Sequence, residues 1–137
     1  MSLTMTEAIV ITGMGCISAA GHNLADFEHN LFSGVPTKTI NEVSLFKPDH
    51  HAKYIAAEVK NYQSEKHFLT NELKLLDRFA QFALISAQEA IANAKLDLEK
   101  VNLNKVSVVH GSSIGGQQTI ETSYAQLFEQ GKTRVHP

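Results

Sequence analysis

Short β-branched runs that end in glycine-rich turns constrain the fold of this chain more than any other feature. One run covers residues 8–12 and ends in a turn at residues 13–15, and another covers residues 105–110 and ends in a turn at residues 111–116. The unbroken run at residues 8–12, closed by a glycine turn, is typical of a buried strand, and residues 105–110 are predicted to form another strand. Because helical periodicity follows each turn, the sequence predicts strands that lead into helices.

Periodic apolar positions predict three helices. The first begins at the N-cap residue Asn23 and ends at Gly34, which is a common helix stop. The longest begins with Thr70 as its N-cap, and the last covers residues 117–130.

A further strand is predicted at residues 54–59, after an irregular polar excursion at residues 35–53. Strands that alternate with helices in this order predict an α/β fold with a mostly parallel sheet between helical layers. We expect residues 8–137 to belong to one domain, behind a leader or disordered start at residues 1–7.

The longest predicted helix carries small residues along its apolar stripe, which permits another backbone to approach closely. Such a helix fits between two layers or against a partner subunit, and a helix that simply covers one face of a sheet is an equal alternative. Gln81, Gln88 and Glu89 occupy its other side. The stripe contains Leu76, Phe79, Ala80, Ala83, Ala87, Ala90, Ile91 and Ala94.

Composition narrows the class of protein. The chain has 137 residues, a net charge of −2 and 12 Lys plus Arg against 14 Asp plus Glu, so no overall positive field favours nucleic acid. Its single cysteine, Cys16, rules out a disulfide scaffold and fits a reducing compartment, so we expect the protein in the cytoplasm. No signal peptide is recognisable, and no apolar stretch reaches the roughly 18 residues that suggest a membrane span.

The two glycine turns do not meet the stricter tests for nucleotide binding. Ser18 stands where a dinucleotide-binding loop needs glycine, and Gln117 follows the second turn where a phosphate loop needs lysine. Tight backbone turns are the simpler interpretation.

A nucleophile elbow is also disfavoured. The second turn matches the Gly-x-Ser-x-Gly pattern at Ser113, but only Glu121, Glu129 and His136 follow it as partners for a triad.

The remaining candidate groups favour structural interpretations. Residues 49–51 (Asp-His-His) with His67 lack the spacing of a metal site and favour a solvated loop, so we expect neither a metal nor a cofactor. We interpret His110 as a hydrogen-bonded core histidine and Cys16 as a small packing residue.

Three motifs in order nevertheless resemble the β-ketoacyl-acyl carrier protein synthases. Residues 9–21 (Ile-Val-Ile-Thr-Gly-Met-Gly-Cys-Ile-Ser-x-x-Gly) resemble the opening of these enzymes. Residues 76–83 are similar to the family's first long helix, and residues 111–116 resemble its glycine turn after the third strand. The matches extend over residues 8–137, about the first third of a typical family member.

The resemblance implies a thiolase-like α/β/α fold in three layers, of which this chain holds part of the N-terminal half, and a homodimer or a heterodimer with another synthase subunit. It also implies a decarboxylative Claisen condensation, in which a cysteine takes up an acyl group that a malonyl thioester then extends by two carbons. The family's nucleophilic cysteine, in a Thr/Ser-Ala-Cys setting, and its two histidines are expected beyond Pro137. The chain alone is therefore expected to be inactive, with no catalytic residue of its own.

The resemblance also transfers two candidate sites. Ile114 matches the apolar residue that borders the acyl pocket in elongating members, and a core residue that locks the turn is the alternative. Ser113 replaces a frequent glycine, which puts the turn geometry in doubt because a non-glycine residue resists positive φ. The whole turn comprises Gly111, Ser112, Ser113, Ile114, Gly115 and Gly116.

Basic residues near the long helix are candidates for docking the acidic acyl carrier protein. These candidates are Lys74, Lys66 and Arg78, and a solvated charged face is the alternative. Two other functions stay open at this stage: a non-catalytic subunit resembling a chain-length factor, and a free-standing α/β binding module.

Overall fold

The structure, a computed structural model, describes residues 8–33, 39–44 and 53–134. The predictions for residues 1–7, Gly34, residues 49–51 and residues 135–137 lie outside the described residues. The regular elements, in chain order, are α1 (Leu24–Phe32), β1 (Ile40–Glu42), β2 (Ile55–Ala57), α2 (Thr70–Leu73), α3 (Arg78–Asn93) and α4 (Gln117–Phe128), with 3-10 turns at Ser64–Lys66 and Leu103–Lys105.

The first and last predicted helices are confirmed. Each begins at a signal that is readable from neighbouring residues. The Asn23 side chain accepts a hydrogen bond from the Asp26 amide at 2.8 Å and so caps α1. Helix α4 starts directly after the glycine turn, with Gly116 as its N-cap.

The prediction of one long helix is wrong, because this segment forms two separate helices, α2 and α3. Asp77 has extended backbone angles (φ −62°, ψ 157°) and caps α3 through its carboxylate, so a second helix begins at Arg78. Thr70 is also not the cap of α2: it is the first helical residue, and the Glu72 carboxylate accepts the hydrogen bond of the Leu69 amide at 2.7 Å.

The predicted parallel sheet does not form among the described residues. The only ladder there is antiparallel and joins β1 to β2, with Ile40 opposite Ala57 and Glu42 opposite Ile55. Strand β1 lies in the stretch predicted to be irregular, whereas β2 lies within the predicted strand at residues 54–59.

The predicted strands at residues 8–12 and 105–110 are unpaired in the described part of the chain. Their side chains stay in contact with solvent, since Ile9 is 101% exposed and Val109 is 94% exposed. A strand is stable only when its backbone groups and one face find partners, and the described residues pair neither run with a neighbouring strand.

Helix α3 organises the core, and the predicted close approach along its small residues is confirmed. Gly15 lies so near α3 that a Cβ atom there would collide with the Ser86 carbonyl and come within 2.8 Å of the Ala90 amide nitrogen. Gly13 lies equally near Ala90 and Ala94. The backbone that approaches α3 is therefore the first glycine turn of the same chain.

Polar side chains of α3 secure this contact. The Glu89 carboxylate accepts hydrogen bonds from the Cys16 amide at 2.9 Å and from the Leu24 amide at 2.8 Å, so it also stabilises the start of α1. The Asn93 side chain accepts a hydrogen bond from the Met14 amide at 3.2 Å. Glu89, which the sequence places away from the apolar stripe, thus faces the N-terminal segment.

Candidate functional site

The second glycine turn precedes α4 and holds its shape through Gly115. This glycine has φ +74°, in the left-handed region that favours glycine, and its amide donates a hydrogen bond to Ser112 Oγ at 2.9 Å. Ser113 does not have positive φ. The doubt that Ser113 raised about the turn is therefore resolved, because the residue that needs positive φ is a glycine.

Ile114 lies at the tip of this turn and is 66% exposed. Gly111, at the other end, is similarly open, with no atom within 4 Å of a Cβ built on it. Ile114 therefore contributes little to the core formed by the described residues. Its role as the border of an acyl pocket stays a prediction.

The Asp77 carboxylate connects the first turn of α4, which directly follows this glycine turn, to α3. Its Oδ2 atom accepts hydrogen bonds from the Thr119 hydroxyl at 2.6 Å and the Thr119 amide at 3.0 Å, and Oδ1 accepts one from the Phe79 amide at 3.4 Å. Two helix N-termini thus share one negative charge, which is the charge their dipoles favour. Gly116 leaves room for it, since a Cβ there would lie 3.3 Å from Oδ2.

The pKa of Asp77 is lowered from its ordinary value. Partial burial of the carboxyl acts to raise it, but the hydrogen bonds from Thr119, Phe79 and Arg78 together outweigh burial. The carboxylate is therefore ionised at neutral pH, as its role at two helix N-termini requires.

A polar groove of about 750 Å³ lies between the start of α3 and the exposed flank of α4. Its lining includes four basic side chains: Lys74, Arg78, Lys132 and Arg134. Two of the predicted docking residues, Lys74 and Arg78, are thus brought together, whereas Lys66 lies outside the lining at the end of a 3-10 turn.

Arg78 is held by contacts within the chain. Its Nη2 atom donates a hydrogen bond to the Val59 carbonyl at 2.6 Å, and its guanidinium lies 5.3 Å from the ring centre of Tyr62 and 5.0 Å from that of Phe82. These contacts are typical of a cation–π arrangement. Arg78 consequently joins the exit of β2 to α3 as well as adding charge to the groove.

Lys132 and Arg134 are not among the docking residues predicted from the sequence. The chain reverses after α4 at Gly131, which has φ +64°, and the Lys132 amide then donates to the Gln126 carbonyl at 3.0 Å. A glycine just after a helix is a readable stop signal, but the return of the chain to the groove depends on the packing of α4. Asp77 was also missed as a link, although an aspartate before a periodic run is a recognisable N-cap.

The remaining candidate groups are Cys16, His110 and the metal-binding side chains. Burial raises the pKa of the Cys16 thiol, and the nearby Glu89 charge raises it further, so the thiolate is disfavoured. His110 is exposed and stacks on Phe79 with ring centres 5.8 Å apart, so its interpretation as a core histidine is wrong. Within the described ranges, no group of three or more His, Cys, Asp or Glu side chains is placed to hold a metal ion.

Comparison with known proteins identifies the family. A model of the β-ketoacyl synthase N-terminal domain matches residues 6–137. The chain belongs to the β-ketoacyl synthase family. Membership implies the α/β class of fold, in agreement with the sequence prediction at that level.

The relatives of this β-ketoacyl synthase chain are 3-oxoacyl-[acyl-carrier-protein] synthases 2. It is 33% identical over 135 residues to the 3-oxoacyl-[acyl-carrier-protein] synthase 2 of Staphylococcus aureus strain COL, covering 98% of this chain and 32% of the relative. The synthase 2 of Synechocystis sp. is 31% identical over 131 residues, covering 96% of this chain and 31% of the relative. The chain thus spans about one third of the length of these relatives. Among the described helices of this family member, none combines the length and apolar character needed to cross a bilayer.

Proposed function

We propose that this chain forms the N-terminal part of a 3-oxoacyl-[acyl-carrier-protein] synthase. The observation that carries the proposal is the match of residues 6–137 to the family's N-terminal domain, together with synthase 2 relatives that cover nearly the whole chain. The substrates would be an acyl thioester and a malonyl carrier protein, within fatty-acid or related polyene and polyketide synthesis in the cytoplasm.

In the proposed reaction, a cysteine outside these 137 residues attacks the acyl thioester and the carrier thiol leaves. Malonyl carrier protein then loses CO₂, and the resulting carbanion forms a carbon–carbon bond to the acyl carbonyl while the cysteine sulfur leaves as thiolate. The residues of this chain would supply the wall of the acyl pocket at Ile114 and a surface for the carrier protein.

The groove between α3 and α4 supports the carrier-docking part of the proposal. Lys74, Lys132 and Arg134 bring positive charge to one open surface, and opposite charges accelerate the encounter of an acidic partner. Lys66 lies nearby in sequence and extends the basic surface in this proposal.

Charge reversal tests the docking surface in the protein expressed from its complete gene. Lys74→Glu and Lys132→Glu should each raise KM for the carrier substrate about three- to tenfold and leave kcat nearly unchanged, since a rim charge affects encounter more than chemistry. Lys105→Glu makes the same charge change outside the groove and is the matched control. Equal KM values for all three variants would contradict the docking proposal.

The proposed fold includes a parallel pairing of residues 8–12 with residues 106–110. Each segment leads to a contact with the same helix: the first glycine turn approaches α3 at Ser86, Ala90 and Ala94, and His110 stacks on Phe79 in the first turn of α3. Strands that alternate with helices in one domain are typically parallel. Slow amide exchange in both segments of the complete protein would support this pairing, and fast exchange would contradict it.

A labelled acyl carrier thioester tests the enzyme assignment. A synthase should retain the label on a cysteine and release a product two carbons longer when malonyl carrier protein is added. A protein that retains no label but binds an active synthase would instead be a non-catalytic subunit. Sedimentation of the same protein tests the homodimer that the family resemblance implies, and a monomer would contradict it.

A further inference from the structure

Asp77 is a polar link between α3 and α4, the helix that directly follows the turn carrying Ile114. Its carboxylate accepts two hydrogen bonds from Thr119, in the first turn of α4, and one from Phe79, in the first turn of α3. Asp77 and Thr119 are 42 positions apart in the chain, so their hydrogen bonds are a tertiary contact. A shift of the carboxylate would therefore move the start of α4 relative to α3.

The start of α4 is in turn continuous with the glycine turn. The Gln117 amide donates to the Gly115 carbonyl and the Ile120 amide to the Gly116 carbonyl, both at 3.0 Å. Ile114 directly precedes these residues. At the opposite end of the turn, Gly111 has no atom within 4 Å of a built Cβ, and the preceding residue, His110, stacks on Phe79 of α3.

We propose that Asp77 is a positioning residue that sets the location of Ile114 and thereby the acyl-chain-length preference of the enzyme. The inference rests on the proposed synthase function, in which Ile114 borders the acyl pocket. Asp77 acts through the Thr119 hydrogen bonds and touches no substrate. A small displacement of a pocket wall is sufficient, because one methylene changes specificity by roughly tenfold or more.

The test compares kcat/KM for a short and a long acyl carrier substrate in the complete protein. Asp77→Ala and Asp77→Asn should change the long-to-short ratio, by about tenfold for Ala and less for Asn, which keeps one acceptor oxygen. Thr119→Val removes the hydroxyl donor but leaves Asp77 as the cap of α3, so it serves if the Asp77 variants fail to fold. Asp97→Asn alters an exposed aspartate elsewhere and should leave the ratio unchanged.

Amide exchange separates this inference from the function on which it rests. Loss of the hydrogen bond should accelerate exchange of the Thr119 amide about tenfold in Asp77→Ala. An unchanged ratio in the Asp77 and Thr119 variants, while Ile114→Ala alters it, would overturn the role of Asp77 and leave the proposed function intact. An unchanged ratio in Ile114→Ala would overturn the pocket border itself, and with it the inference. Rescue of the ratio in Asp77→Asn, relative to Asp77→Ala, would support positioning by hydrogen bonds.

Discussion

Gly15→Ala should destabilise the protein because the added methyl group meets backbone atoms. A Cβ at this position would collide with the Ser86 carbonyl, lie 2.8 Å from the Ala90 amide nitrogen and lie 2.9 Å from the Glu89 Cβ. All three distances are shorter than the 3.4 Å at which ordinary contact begins, and backbone atoms of a helix cannot rotate away. The segment around Gly15 must therefore move off α3.

The size of the effect follows from the contacts that this movement disturbs. Overpacking of a close contact costs about 1–3 kcal/mol. The 2.9 Å hydrogen bond from the Cys16 amide to Glu89 lies next to the added methyl group, and its loss costs a further ~1 kcal/mol. We expect the free energy of unfolding to fall by about 2–4 kcal/mol, a large part of the 5–15 kcal/mol typical of folded domains.

Two further glycines in the chain provide matched controls for urea denaturation of the complete protein. Gly111→Ala adds the same methyl group where no atom lies within 4 Å and should change the free energy of unfolding by less than about 1 kcal/mol. Gly115→Ala is sterically open but has φ +74°, so it should cost about 1–2 kcal/mol through backbone strain alone. If Gly15→Ala were no more destabilising than Gly111→Ala, the close approach to α3 would be refuted.

Three other substitutions test single side chains. Glu89→Gln should lower the pKa of Cys16 and speed alkylation of the thiol at mildly alkaline pH, because the neighbouring negative charge is removed while burial remains. An unchanged alkylation rate would exclude that charge as a cause of the raised pKa. Asp77→Asn should make the free energy of unfolding depend less on pH in the acid range. Folding lowers the pKa of Asp77, so its contribution to stability is present above the ordinary carboxyl pKa and is lost as pH falls through the folded pKa. A variant with the same acid dependence as the wild type would count against this. Arg78→Ala should reduce the free energy of unfolding by about 1–2 kcal/mol in denaturation experiments, and Arg78→Lys should recover part of it, because lysine keeps the charge over Tyr62 but not the planar fork.

The sequence predicted the parts of the fold that depend on neighbouring residues. Helices α1 and α4 follow from the Asn23 cap and the second glycine turn, both of which act over a few residues. The break before α3 was missed because helix-forming residues on both sides of Asp77 outweighed its capping signal in a periodicity argument. A strand at residues 8–12 depends on distant partners, and the described residues pair it with none, so the local pattern alone could not decide whether it forms.

The same distinction applies to the candidate site. The glycine turn and Ile114 were found because motif and spacing are contiguous in the chain. The contact between Asp77 and Thr119 spans 42 residues, and the groove acquires Lys132 only after the chain reverses behind α4. No local pattern records such contacts, because they arise from the way α3 and α4 pack.

The contact of the first glycine turn with α3 has a consequence for synthesis on the ribosome. The Cys16 amide and the Glu89 carboxylate that binds it are 73 residues apart, and Met14 and Asn93 are 79 apart. At about 5–20 residues per second, the N-terminal segment emerges several seconds before its helix exists. During that interval residues 13–16 lack the helix surface that they contact in the folded chain, and the β-branched residues 8–12 directly before them are exposed as well, so protection of the nascent chain from aggregation is needed there first.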